Sequence, residues 1–137
     1  MSIQWSTTVR NAILDQIEST ISTSAVLKIY DLTAGAPANC AASITATVLA
    51  TITLPSDWMA AASSGSKALS GTWQDASADG TGTADFFRLF ASDGTTCHMQ
   101  GTVTATGGGG DMTLDNTSIA SGQTVNVTTF TLTAPGA

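Results

Sequence analysis

The amino-acid sequence predicts a mainly β protein: an antiparallel β-sandwich or jelly-roll-like domain with one N-terminal amphipathic α-helix. Three observations carry that expectation. Apolar residues recur every fourth position near the start of the chain and every second position after Ala25, the periods of a helix and of half-buried strands. Threonine and valine crowd the alternating runs, and β-branched side chains suit a pleated surface. Gly, Pro, Asp and Asn punctuate the alternation about every ten residues, the spacing of short strands joined by turns.

The helix is expected from Thr7 to about Ser22, "TTVRNAILDQIESTIS". Val9, Ile13, Ile17 and Ile21 form one apolar stripe with Leu14 beside it. Ser6 or Thr7 serves as N-cap, and Asp15 and Glu18 fall on or near the polar side. Such a helix covers an open face of its domain; joining copies of the chain is its alternative use. Residues 1–24 are therefore read as a helical segment packed on, or extending from, a β-sandwich of residues 25–137, with one domain overall.

The strands follow in order. Ala25–Asp31 alternates, with Leu27 and Ile29 on one face and Val26, Lys28 and Tyr30 on the other. "TAGAPANCAAS" is a loop broken by Gly35 and Pro37. Ala46–Pro55 is rich in β-branched residues and ends at proline. A short helical turn capped by Ser56 is expected around Trp58, then a strand over Ala68–Asp75 and a Gly-rich turn, "ASADGTGTAD". Asp93-Gly94 separates two alternating runs, Asp85–Ser92 and Thr95–Ala105, and reads as a hairpin turn. "DMTLDN" and "QTVNVTTFTLTA" supply the last two strands, joined by "TSIASG". The expected core is Leu27, Ile29, Val48, Ile52, Trp73, Phe87, Leu89, Val103, Leu114, Val125, Val127 and Leu132.

Composition narrows function. The 137 residues are enough for one domain with a core. Only 10% are charged against 42% hydrophobic, so the chain should fold rather than remain disordered. A net charge of −6 and four scattered basic residues, Arg10, Lys28, Lys67 and Arg88, argue against nucleic acid as a partner. No secretory signal pattern or membrane-spanning apolar run is read, so a soluble, cytosolically made protein is expected. Cys40 and Cys97 are too few for a disulfide framework; two half-buried thiols are the preferred reading over a bridge formed after release from a reducing cell.

Chemistry finds little to stand on. Gly107–Gly110 lacks the lysine and the following helix of a phosphate loop, so the glycines are assigned to a loop needing positive φ. "GGGGDMTL" misplaces the aspartate of a calcium β-roll repeat and has no second copy. "DGTGTAD" offers Asp79 and Asp85 without an EF-hand loop, and solvated turn carboxylates are preferred over a cation site. His98 is the single histidine; in a strand it should diverge from Cys97, which weakens a Cys-His nucleophile. Two cysteines and one histidine do not complete a zinc site. Ser64 and Lys67 match Ser-x-x-Lys at chance level, and nothing sets two carboxylates across a cleft. Trp5, Trp58, Trp73 and Tyr30 are read as core or interface anchors rather than a sugar platform. The expectation is a protein that is not an enzyme, with no catalytic, metal or cofactor site and no cofactor.

Several blocks in order, "VRNAILDQIESTISTSAVLKIYDLTAGAPANCAA", "ATITLPSDWMAAASSGSKALSGTW", "GTADFFRLFASDGTTCHMQGTV" and "GGGGDMTLDNTSIASGQTVNVTTFTLTA", cover nearly the whole chain. Together they resemble a family of small structural proteins of tailed bacteriophages and prophages. The resemblance implies a virion component made in the host bacterial cytoplasm, foremost a capsid cement or decoration protein; a tail, baseplate or fibre-associated protein binding a receptor or carbohydrate is the alternative. It implies the major capsid protein and further copies of the chain as partners, in a homo-oligomer such as a trimer, with no membrane partner. A weakly charged threonine-rich surface suits assembly in many copies. The N-terminal segment, the "GAPANC" loop and the "ASADGTGTAD" turn are the expected reach-out elements.

Overall fold

The structure, a computed structural model, describes all 137 residues. One helix, α1 (Thr7–Ile21), precedes ten strands: β1 (Val26–Asp31), β2 (Thr47–Thr53), β3 (Ser66–Ala68), β4 (Gln74–Asp75), β5 (Gly82–Thr83), β6 (Phe86–Phe90), β7 (Cys97–Ala105), β8 (Met112–Leu114), β9 (Ser118–Ile119) and β10 (Val125–Thr133). The fold is mainly β with a single N-terminal helix, as the sequence periods require. Eight strands form one sheet in the order β2-β1-β6-β7-β8-β10-β3, with β4 also on β10, and β5 pairs with β9 separately.

The sheet curls until its ends nearly meet. β4 hangs from the start of β10, yet the Asp75 carboxylate accepts Thr51 N–H of β2 at 3.0 Å. Asp79 N–H then donates to Leu49 O at 2.8 Å. The segment after β4 thus laces the outer edge of β2, which an exposed edge strand would otherwise leave open to foreign pairing. A single apolar cluster fills the interior.

Local chemistry explains the turns. In the β6–β7 hairpin, Asp93 Oδ1 accepts the N–H groups of Thr95 and Thr96, both at 2.8 Å, and Gly94 takes φ +68°, a left-handed conformation that glycine adopts without steric cost. The four-glycine run has a different task. β7 and β8 are the one parallel pair of an otherwise antiparallel set, although only residues 106–111 separate them. Parallel neighbours ordinarily need a crossover of a dozen or more residues. Here the chain doubles back on β7: Gly110 N–H donates to Thr104 Oγ1 at 3.0 Å, and the Asp111 carboxylate accepts Thr102 N–H at 2.9 Å. Gly107 and Gly109 have φ of +85° and +83°. Gly108 and Gly110 lie so close to Thr104 that a Cβ would meet its side chain at 2.8–2.9 Å. Two glycines serve conformation and two serve close approach.

The core contains ten of the twelve expected residues. Val48 and Leu132 are only partly buried. The pairing of β1 with β2 shifts between Ile29 and Tyr30, so that Ala50 and Val48 are paired and Leu49 is passed over. That bulge turns Leu49 inward at 0% exposure and Val48 away. No helical turn forms at Trp58; Met59 bridges Leu69 instead. Trp58 is buried whole, its indole N–H donating to Ser22 O, and Trp58, Trp73, Phe130 and Phe87 stack in series with centroids 6.0, 5.3 and 5.7 Å apart. The expected strand over 68–75 is split into the end of β3 and β4.

The second face of the sheet is covered too. All five residues of β6 are buried. Phe87 and Leu89 enter the core, while Arg88 turns to the 33–45 loop and donates to Asn39 O and Ala42 O at 3.0 and 2.9 Å. Gln100 Nε2 reaches Pro37 O at 2.9 Å.

Candidate functional site

The helix is the element that shapes the surface of interest. Its inner face is not the apolar stripe alone. Arg10, Leu14 and Ile21 are buried, while Val9 is 47% exposed and Ile13 and Ile17 are half-buried. The Arg10 guanidinium donates to Ala134 O at 2.8 Å through Nη2 and 3.2 Å through Nε. Asn11 Oδ1 accepts Gly65 N–H at 2.8 Å. Asp15 accepts Ala62 N–H, Glu18 accepts Met59 N–H, and both carboxylates meet Lys67 Nζ at 2.8 Å. Asp15 and Glu18, expected on or near the polar side, therefore point at the body and hold the 59–67 segment.

With this polar seam also turned inward, Val9 at the start of the apolar stripe is left outside. Met1, Ile3, Trp5 and Val9 are the exposed large hydrophobic residues of the chain, Ile3 at 77% and Trp5 at 41%. Ser6 caps the helix, accepting Val9 N–H on its hydroxyl, and its backbone is extended. Trp5 N–H donates to Gly136 O at 2.9 Å, which fixes where residues 1–5 leave the body. Beside the helix, Ile13, Gln16, Ile17, Thr20, Ile21 and His98 line an open groove of about 230 Å³.

The other expected residues fall as follows. Cys40 and Cys97 are joined in a disulfide, with Cα atoms 5.4 Å apart, which corrects the expectation of free thiols. The 33–45 loop folds back over the outer face of β6 and β7, and a separation of 57 residues hid the meeting. His98 does diverge from Cys97, toward the helix. Lys67 Nζ donates to Asp15, Glu18 and Ala60 O: burial pulls its ammonium downward, but its hydrogen bonds to Asp15 and Glu18 outweigh this and hold it above its ordinary value, the reverse of what a general base needs. Trp58, Trp73 and Tyr30 are buried, so no aromatic platform forms around Trp5.

Two of the three expected reach-out elements are tied down. The "GAPANC" loop is held by the disulfide, Arg88 and Gln100. The "ASADGTGTAD" turn contains β5, donates Thr83 N–H to Asp31, and buries Ala78 and Ala84. Both keep exposed residues, but the N-terminal segment carries most of the exposed large hydrophobic side chains.

The carboxylates do structural work that the sequence concealed. Asp15, Glu18, Asp31, Asp75, Asp85, Asp93, Asp111 and Asp115 each accept at least one backbone N–H; Asp57 and Asp79 have no such bond. Hydrogen bonds from Thr96 and Thr95 hold the Asp93 carboxyl far below the usual range. The bases are spent as well. Besides Arg10, Lys67 and Arg88, Lys28 Nζ donates to Gly94 O at 3.1 Å and sits over the Phe90 ring. No group of three or more His, Cys, Asp or Glu side chains is gathered to hold a metal ion, and no helix is long and apolar enough to cross a membrane.

No protein-family model, no curated protein and no solved structure matches this chain.

Proposed function

We propose that this chain is a non-enzymatic structural protein of a bacteriophage virion, specifically a capsid cement or decoration protein that binds between capsomers and stabilises the head. The resemblance of its ordered blocks to small phage structural proteins supports that reading. The observation that carries it is the distribution of side-chain types. The basic groups and eight of ten acidic groups are engaged in holding loops and helix to the sheet, while the large apolar residues left outside gather on one arm and helix face. Such a body is suited to adhering to a neighbour with little rearrangement.

Mixing the purified protein with undecorated, expanded capsids tests the reading. Saturable binding, with a rise in the temperature at which the capsids disrupt, is the expected result. Immunogold label confined to tails would transfer the protein to the tail, and absence of binding to any particle would end the proposal.

A further inference from the structure

The sheet has a place for a strand that the chain itself does not fill. β8 lies between β7 and β10 but is only three residues long, pairing with residues 103–105 of β7 and 127–130 of β10. Below it, residues 97–102 of β7 pair with β6 on one side, and residues 131–133 of β10 pair with β3 on the side away from β8. The facing edges of these two stretches have no strand partner, although the Asp111 carboxylate meets Thr102 N–H at the end next to β8. Strands flanking β8 stand two sheet spacings apart, about 9–10 Å, which is the width one inserted strand occupies. A cavity of about 300 Å³ lies in this gap, lined by Phe87, Met99, Phe130 and Leu132 with Gln100, Thr131 and the acidic Asp111 among its polar residues.

Its polarity alternates as a strand requires. Phe87 and Phe130 belong to the core, and Met99 and Leu132 pack against it. Gln100 turns the other way, to Pro37 and Arg88. Both walls are held by their own pairing on the far side, so the gap is preformed and ordering it costs little.

One segment of the chain has the matching pattern. Met1, Ile3 and Trp5 alternate with Ser2, Gln4 and Ser6, the backbone at Ser6 is extended, and the three apolar side chains stand exposed. Residues 1–9 carry no charged side chain in a chain of net charge −6. Copies cannot pair by matching surface cations with acids, because all four basic side chains are bonded internally. An arm without acidic side chains avoids the like-charge penalty that other contacts would carry. In its own chain the arm is held at Gly136 and lies outside the gap.

We infer that the gap between β7 and β10 receives residues 1–5 of a second copy of this chain as an added strand, with Ile3 and Trp5 turned toward the partly buried Met99 and Leu132. This deepens the virion reading by naming the surface through which copies meet, and it is tested with no capsid present.

Sedimentation of the full chain across a wide concentration range should show reversible self-association. Ile3→Asp and Trp5→Asp, at exposed positions, should each weaken it at least about tenfold while leaving the fold intact, since each forfeits the burial of one large apolar side chain. A bismaleimide should then link a Gln4→Cys chain to a differently tagged Thr131→Cys chain. A monomer at every concentration overturns the inference, as does self-association indifferent to both arm variants. Linkage found only when both cysteines are on one chain assigns the gap to the chain's own arm and also overturns it. Capsid binding by a strictly monomeric protein would leave the cement reading standing without this one.

Discussion

Lys67 Nζ lies 2.8 Å from Asp15 Oδ1, joining residues 52 positions apart in the chain. Glu18 completes the cluster at the same distance, and Ala60 O accepts a further hydrogen bond from the ammonium. The lysine side chain is 3% exposed whereas Asp15 is 49% exposed. One buried cation, satisfied on three sides, thus fastens the helix to β3, and this latch decides which helix face meets solvent.

Lys67→Ala should destabilise the fold by about 2–3 kcal/mol, because it leaves Glu18 partly buried without its counter-charge. The figure sits below the usual cost of breaking a buried pair since Asp15 retains water. Urea unfolding checks it. Lys67→Met should recover part of the loss by filling the same volume without a charge.

Stability should fall on both sides of neutrality. The hydrogen bond from Lys67 lowers the Asp15 carboxyl below its ordinary 3.8, and hydrogen bonds from Thr96 do the same for Asp93. Their contributions are complete above the unfolded value, near pH 4, and are lost as pH drops through the folded values. Lys67 is raised above 10.5, and burial raises Tyr30 above 10.0. Those contributions are complete below the unfolded values and disappear as pH rises through the folded ones. Thermal melting against pH should show a plateau between about pH 5 and 9, and Asp15→Asn should flatten its acid shoulder.

Gly65→Ala should cost about 2–4 kcal/mol, since φ is +74° and a Cβ would fall inside the Arg10 guanidinium. Gly107→Ala, at a similar φ with open space around it, should cost only about 1 kcal/mol. Comparing the two variants by chemical denaturation separates strain from collision.

Reducing the Cys40–Cys97 bridge should lower stability by about 2–4 kcal/mol through the freedom it restores to the unfolded chain. The core does not depend on it, so the reduced protein should remain folded near room temperature. Hydrogen exchange should rise chiefly in residues 33–45, less so at Asn39 and Ala42, where Arg88 still holds the carbonyls.

Much of this architecture was legible in the sequence because its cause is local. Asp93-Gly94 makes its hairpin with its own side chain and its own glycine. The alternation of Leu27 and Ile29 with Lys28 places the first two in the core wherever β1 pairs. Of the apolar stripe expected on one helix face, Ile21 and neighbouring Leu14 are buried and Ile17 packs against the core, but Val9 stays exposed. The polar Arg10, Asp15 and Glu18 face the body too, because they have partners at Ala134, Lys67 and Met59, which no periodicity reveals. Of the three expected reach-out elements, the loop and the turn are tethered to distant strands, and the N-terminal arm carries the exposed apolar side chains.

The amino-acid sequence by itself determined the mainly β class, the single helix, the hairpin and most of the core, since these follow from side-chain period and turn chemistry within a few residues. Only the tertiary structure decided the parallel return of β8, the bridge from Cys40 to Cys97, the inward polar face of α1 and the unfilled gap between β7 and β10. Each of these arises where segments far apart in the chain meet, and the energy that settles them, from satisfied buried charges, close backbone approach and edge pairing, belongs to the meeting rather than to either segment.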